Sequence, residues 1–143
     1  MNAMMDAHYH RDIPLKPGVR AYLDALHRAG AHMCVASATD PELIAACLTR
    51  LGVVHYFDAL LSCKDVGVGK DSPAVYLEAA ARMGSTPEET AVFEDVLFAA
   101  KTAKQAGFYT VAVWDPNSAA QWEALAALAD EAILDWTQAV PTL

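Results

Sequence analysis

Short apolar strands that alternate with amphipathic helices are the feature of this sequence that most restricts its fold. The runs HMCVAS, FDALLS, TAVFE and YTVAVW are rich in apolar residues, and each is separated from the next by a segment with helical periodicity. A fifth run, AILDW, follows the last helical segment. Near-continuous apolar strands between amphipathic helices are typical of a parallel sheet covered on both faces. The pattern therefore predicts an α/β domain with a Rossmann-like arrangement.

Turn and cap signals place the helix boundaries. Asp40-Pro41 is an N-cap followed by a first-turn proline, and it opens the helix ELIAACLTRL, which Gly52 closes. The S-x-x-Q pattern from Ser118 to Gln121 has the form of a capping box and is expected to introduce the last helix. No low-complexity linker or internal repeat interrupts this series, so one continuous domain is expected.

The length of 143 residues matches one ordinary domain with a real core. We expect residues 1–12 to form a polar amino-terminal tail and residues 13–143 to form the α/β core. Cys34, Cys47 and Cys63 are odd in number, lack metal-type spacing and lie in apolar surroundings. They are therefore expected to be buried, reduced thiols that serve packing.

Charge and the length of apolar runs exclude two classes of partner. A net charge of -8 argues against nucleic acid, because a phosphate backbone demands clustered lysine and arginine. Charged residues interrupt every apolar run before the roughly 18 residues that a membrane helix needs. The amino terminus, MNAMMDAHYHRD, has neither the basic start nor the apolar core of a signal peptide. A cytoplasmic protein without a membrane partner is expected.

Hydroxyl and ammonium groups follow two of the predicted strands. HMCVAS ends at Ser37, Thr39 comes two residues later, and FDALLS runs into a glycine-bearing loop that carries Lys70. Taken singly, the hydroxyls could satisfy a turn and the lysine could be surface charge. Ligands gather beyond the carboxyl ends of parallel strands, however, and the hydroxyls, the ammonium and the backbone N–H groups around Ala38 would together suit a phosphate.

Carboxylates follow the ends of two other strands. TAVFE ends at Glu94, Asp95 comes next, and YTVAVW is followed by Asp115. Asp95 stands directly before a helix, so capping alone could explain it. Glu94 has no such explanation, because a carboxylate at the edge of a buried strand costs free energy unless a cation or hydrogen bonds compensate. The pair therefore favours a cation site, and the conjunction with Ser37 and Lys70 predicts a site for phosphate and Mg²⁺.

Three stretches of the chain resemble the haloacid dehalogenase superfamily, within its β-phosphoglucomutase and phosphoglycolate phosphatase-like branch. They are IPLKPGVRAYLDALHRAGAHMCVASATD, YFDALLSCKDVGVGKDSPAVYLEAAARMG and TPEETAVFEDVLFAAKTAKQAGFYTVAVW, and they follow the family's order and spacing. The family's second motif falls on Ser37, its third motif on Lys70, and its acidic fourth motif on Glu94 and Asp95.

The resemblance implies Mg²⁺-dependent phosphoryl transfer on a small phosphorylated metabolite. It gives Ser37 the role of hydrogen-bonding the transferring phosphoryl oxygens, with Ala38 and Thr39 beside it in the phosphate-binding turn. Lys70 would neutralise the phosphoryl charge and orient the nucleophile. Asp95 would hold Mg²⁺ with the help of Glu94. Asp71, directly after Lys70, is expected to weaken the positive field that a phosphate meets.

The sequence also departs from the family. The usual D-x-D-x-T motif, which supplies an aspartate nucleophile at the end of the first strand, occurs nowhere in the 143 residues. The first central strand and most of the cap domain are expected to be absent. Asp6 and Asp12 are not assigned a catalytic role, because they lie in a polar tail without a preceding apolar strand. The serine and glycine usual in the fourth motif are replaced by Val96 and Ala99.

A missing central strand would leave two unpaired inner edges in the sheet. The edges could close up, the amino-terminal tail could fill the gap, or another copy of the chain could donate a segment, and self-association to a homo-oligomer is expected. Three functions follow as hypotheses: a phosphatase or phosphomutase whose chain here lacks its nucleophile and is inactive alone, a non-catalytic phosphate and Mg²⁺ binding relative, or an oligomeric scaffold without a ligand.

Overall fold

One parallel sheet of six strands organises the part of the chain that the computed structural model describes, residues 2–5 and 16–141, with the backbone alone at Asn2, Met4 and Met5. The strands are β1 (Asn2–Met5), β2 (Met33–Ser37), β3 (Ala59–Ser62), β4 (Thr90–Glu94), β5 (Tyr109–Val113) and β6 (Glu131–Ile133). Their order across the sheet is β3-β2-β1-β4-β5-β6, and every neighbouring pair is parallel. The α/β prediction is confirmed.

Helices connect these strands and cover both faces of the sheet. They are α1 (Val19–Arg28), α2 (Pro41–Leu51), α3 (Cys63–Val66), α4 (Ala74–Arg82), α5 (Leu97–Gln105) and α6 (Trp122–Leu128). Leu26 of α1 and Ile44 of α2 pack with Phe93 on one face. Val75 of α4 and Ala103 of α5 pack with other strand residues on the opposite face. Successive residues of a strand point to opposite faces, so β4 contributes side chains to both cores.

The strand β1 corrects the expectation that the first central strand is absent. Its backbone pairs with β2 on one side and with β4 on the other, and Met5 lies opposite both Val35 and Phe93. Ala3 is buried in the core. Residues expected to belong to a polar tail thus fill the gap, which was the second of the three arrangements considered. Both inner edges are paired, so the reason given for self-association does not hold within the described residues.

Some local predictions also need correction. The last strand ends at Ile133 rather than at residue 136, because Asp135 caps a short 3-10 helix by accepting a hydrogen bond from the Thr137 amide. The predicted capping box from Ser118 to Gln121 does not start the last helical segment. Asp115 is the N-cap of the 3-10 helix Pro116–Gln121, and its carboxylate accepts from the Asn117 amide at 2.8 Å.

The three cysteines are buried and unbridged, as predicted. Burial is the main cause that raises the pKa of the Cys34 thiol to about 11, which disfavours the reactive thiolate. In the described ranges, every helix is too short or too polar to cross a lipid bilayer.

Candidate functional site

The candidate site lies at the carboxyl edge of the sheet, on both sides of β1. Ser37 ends β2 and Glu94 ends β4, the two strands that flank β1. Neighbouring strands are about 4.8 Å apart, so the two chain positions lie about 10 Å from each other across the end of β1. Lys70 reaches this edge from the loop that follows α3 and contacts Glu94. The parallel topology therefore brings the predicted residues to one edge.

Lys70 and Glu94 form a buried ion pair. The ammonium Nζ lies 3.1 Å from Oε2 of Glu94, and the side chains are 6% and 0% exposed. Gly67 ends α3 in the left-handed region, at φ 77°, which turns the chain toward Lys70 at no steric cost. Asp71 is exposed. Within the described ranges, the lysine therefore pairs with Glu94 rather than with its neighbour in sequence.

Tyr76 completes this cluster and was not recognised from the sequence. Its hydroxyl donates a hydrogen bond of 2.9 Å to Oε2 of Glu94, the same oxygen that accepts from Lys70. The Lys70 ammonium also lies 5.6 Å from the centre of the Tyr76 ring. The alternation of β4 turns Glu94, like Val92, toward the face that α4 covers, and Tyr76 stands on that helix. A buried glutamate at the end of a strand requires hydrogen-bond donors. That requirement was the signal in the sequence that could have pointed to a donor such as Tyr76.

The second oxygen of Glu94 faces its own chain. Oε1 accepts a hydrogen bond of 3.2 Å from the backbone N–H of Asp95. Glu94 therefore has both carboxylate oxygens engaged by named donors. This pattern suits a buried counter-ion of Lys70, whose charge is spread over an ammonium, a phenol and an amide.

Ser37 forms a tight turn at the end of β2. Its side-chain oxygen accepts a hydrogen bond of 3.0 Å from the backbone N–H of Thr39, and Ser37 itself is buried. Ala38, between them, is exposed. The turn that was considered the simpler explanation is thus present, and it holds the hydroxyl at the edge of the sheet beside β1.

Asp95 does not act as the N-cap that its position suggested. The N-cap residue of α5 is Val96, which forms no side-chain capping bond. The first helical amide, that of Leu97, instead donates to Oε1 of Gln121 at 3.1 Å. Gln121 therefore belongs to a contact between distant segments, which explains its absence from the capping box predicted around Ser118. The capping explanation for Asp95 is therefore wrong.

The carboxylates at this edge meet part of what Mg²⁺ requires. In the described ranges, no group of three or more His, Cys, Asp or Glu side chains is arranged to hold a metal ion. Mg²⁺ in phosphate-handling sites is commonly held by one or two carboxylates together with water and substrate phosphate. Asp95 fits such a part-formed site. Glu94 fits less well, since its oxygens already accept from Lys70, Tyr76 and the Asp95 amide.

The other acidic residues considered from the sequence are Asp115, Asp6 and Asp12. Asp115 pairs with Lys16, whose Nζ lies 3.2 Å from Oδ2. Asp6 was set aside because no strand was expected before it, and that reason is wrong, since β1 ends at Met5. Asp6 and Asp12 themselves lie outside the described residues. The position two residues after Asp6 is His8, so the D-x-D spacing is still absent.

Comparison with known proteins finds similarity to hydrolases and phosphatases. A family model described as a haloacid dehalogenase-like hydrolase matches residues 5–107. Fructose-1-phosphate phosphatase YqaB of Escherichia coli (strain K12) is 37% identical over 81 residues, which cover 57% of this chain and 43% of YqaB. Hexitol phosphatase B of the same strain is 30% identical over 105 residues, which cover 73% of this chain and 47% of that protein.

A solved structure shares the fold and carries a ligand. The crystal structure of CbbY from Rhodobacter sphaeroides in complex with phosphate matches with a TM-score of 0.77 and 26% identity, over 89% of this chain and 56% of that chain. The chain therefore spans about half the length of the relatives that it matches.

Proposed function

This chain belongs to the haloacid dehalogenase-like hydrolase family, and from that premise we propose that its site binds the phosphoryl group of a small phosphorylated metabolite together with Mg²⁺. The observation that carries the proposal is the buried Lys70 ammonium at the carboxyl edge, held by Glu94 beside the end of β1. A positive charge in a site of low dielectric attracts a phosphoryl group far more strongly than a solvated lysine does.

Each predicted residue receives a role on this basis. Lys70 neutralises phosphoryl charge, and the Ser37 hydroxyl together with the backbone N–H groups near Ala38 and Thr39 contacts phosphoryl oxygens. Asp95 holds Mg²⁺, which supplies charge neutralisation at the phosphoryl oxygens when bound. Glu94 acts mainly as the counter-ion of Lys70. Two relatives are named as a fructose-1-phosphate phosphatase and a hexitol phosphatase, which supports a phosphorylated metabolite as the ligand.

Binding without turnover is the behaviour we expect of the 143 residues. The D-x-D-x-T motif is absent from them, so the nucleophile that the family employs is not provided by that pattern. Hydrolysis of p-nitrophenyl phosphate by the purified chain, abolished in Asp6→Asn, would contradict this expectation and identify a catalytic phosphatase.

Isothermal titration calorimetry with orthophosphate tests the proposal, in buffer with and without Mg²⁺. We expect phosphate to bind in the presence of Mg²⁺, and Asp95→Ala to weaken that binding by about tenfold or more, the effect of losing a charged contact. Asp58→Ala is the matched control, because Asp58 lies at the amino end of the sheet, paired with the exposed His32. Equal affinity in both variants would reject Asp95 as the Mg²⁺ ligand. Absence of phosphate binding, with stability that rises with protein concentration, would favour the scaffold.

A further inference from the structure

We infer that Tyr76 is a positioning residue that sets how strongly Lys70 can act on a bound phosphoryl group. The inference rests on the function proposed above. It assigns a role to a residue of α4, which the pattern of polar residues at the strand ends does not include. Tyr76 does not itself lie at the end of a strand. It acts through Glu94, which it contacts from 18 residues away in sequence.

The geometry makes Tyr76 and Lys70 share one oxygen. The phenol hydrogen bond of 2.9 Å and the ammonium contact of 3.1 Å both end on Oε2 of Glu94. A carboxylate oxygen has two lone-pair positions, so these two donors account for its ordinary capacity. Each donor therefore reduces the negative charge that Oε2 of Glu94 offers to the other donor.

Burial strengthens the electrostatic effect of this shared oxygen on both donors. Tyr76 is 1% exposed and Glu94 is 1% exposed, so the cluster lies in a region where water screens charges weakly. Without the phenol, more of the charge on Oε2 would be directed to Lys70, and the ammonium would be drawn closer to Glu94. Its positive field toward an incoming phosphate would fall. The phenol thus keeps part of the lysine's charge available at the site.

A phenylalanine at position 76 would fill the same space. The ring would pack among the same neighbours, which include Phe108 at 6.1 Å between ring centres, and the change would remove one oxygen atom. Tyr76→Phe is therefore a minimal test of the hydroxyl. Tyr109→Phe is its matched control, because the Tyr109 hydroxyl donates a comparable 2.8 Å bond to Glu131 in another part of the sheet.

The experiment combines calorimetry with NMR of the complete chain labelled with ¹⁵N-lysine. The Lys70 ammonium signal, identified by its loss in Lys70→Arg, is recorded without phosphate in the unsubstituted chain and in both tyrosine variants. We expect Tyr76→Phe to shift this signal and to weaken orthophosphate binding in Mg²⁺ by about three- to tenfold, the range of one hydrogen bond. We expect Tyr109→Phe to change neither.

The outcomes distinguish a failure of the positioning role of Tyr76 from a failure of the proposed phosphate-binding function. An unchanged Lys70 signal in Tyr76→Phe would overturn the positioning role, whatever the affinity for phosphate. Absence of phosphate binding by the unsubstituted chain would overturn the proposed function, whereas the ammonium shift would still decide whether Tyr76 controls Lys70. If Tyr76→Phe does not fold, site-specific 3-fluorotyrosine at position 76 keeps the ring and strengthens the donor. The Lys70 signal must then shift, and an unchanged signal would reject the inference.

Discussion

At the scale of single residues, the site is defined by how Lys70 is stabilised in the interior. Moving an ammonium and a carboxylate out of water costs several kcal/mol per ion, and their attraction offsets this only with good geometry and additional hydrogen bonds. Glu94 supplies that geometry, and Tyr76 and the Asp95 amide supply additional hydrogen bonds. A buried pair that is balanced in this way holds a cation at the sheet edge before any ligand arrives.

Removing one charge of this pair is expected to destabilise the protein strongly. In Glu94→Gln, the buried Lys70 would lose the carboxylate that lies 3.1 Å from its ammonium, and we expect the free energy of unfolding to fall by about 3–5 kcal/mol. Urea denaturation followed by circular dichroism measures the change. The control is Glu78→Gln, whose partner Arg82 lies at 3.1 Å on an exposed helix surface, with an expected loss below about 1 kcal/mol. Similar losses in both variants would show that Lys70 does not depend on Glu94.

At the scale of elements, β1 joins the two halves of the sheet. The strand is four residues long, yet it pairs with β2 through three residues and with β4 through four. It brings the ends of those strands to opposite sides of its own end, where Ser37 and Glu94 lie. The candidate site therefore depends on a short strand that contributes none of the predicted site residues.

Ala3 provides a test of the central strand. Its side chain is 2% exposed, so Ala3→Asp would place a carboxylate among apolar side chains, and we expect a loss of at least about 3 kcal/mol in the free energy of unfolding. The control is Ala25→Asp on the exposed surface of α1, with an expected loss below about 1 kcal/mol. Equal effects would place residue 3 outside the core. Amide hydrogen exchange at Met4 and Met5 gives an independent measure, with slow exchange expected for a paired central strand.

At the scale of the whole molecule, the sequence predicted the strands and site residues that follow from clear, regular patterns of apolar residues. TAVFE was predicted with its observed bounds, and Glu94 at its end could be recognised as a carboxylate that needed compensation. β1 could not be recognised, because four residues beside a polar segment are too short to display a period. Tyr76 was missed for another reason. Its contact with Glu94 exists only because α4 packs over β4, and such packing is a property of the tertiary structure.

Tertiary contacts of two tyrosines also predict how the stability of the protein responds to alkaline pH. Tyr22 and Tyr109 lie on different elements, and both are influenced by Glu131 at the start of β6. Burial, followed by the charge of Glu131, raises the pKa of Tyr22 to about 12. The hydrogen bond to Glu131, followed by burial, raises the pKa of Tyr109 to about 12. An ordinary tyrosine has a pKa of 10.0, so the folded protein favours the protonated phenols.

This stabilisation is therefore complete below pH 10, where both states keep the phenols protonated, and is lost as the pH rises from 10 to about 12. We expect the free energy of unfolding to fall across that window, and the tyrosinate absorbance of the folded chain to include Tyr22 and Tyr109 among its late-titrating groups. Glu131→Gln removes the shared charge, so both phenols should titrate earlier and the fall should become shallower. Glu123→Gln, an exposed carboxylate on α6, should leave the titration unchanged. Because Glu131 links β5, β6 and α1, identical titrations in the two variants would show that these elements do not pack around it.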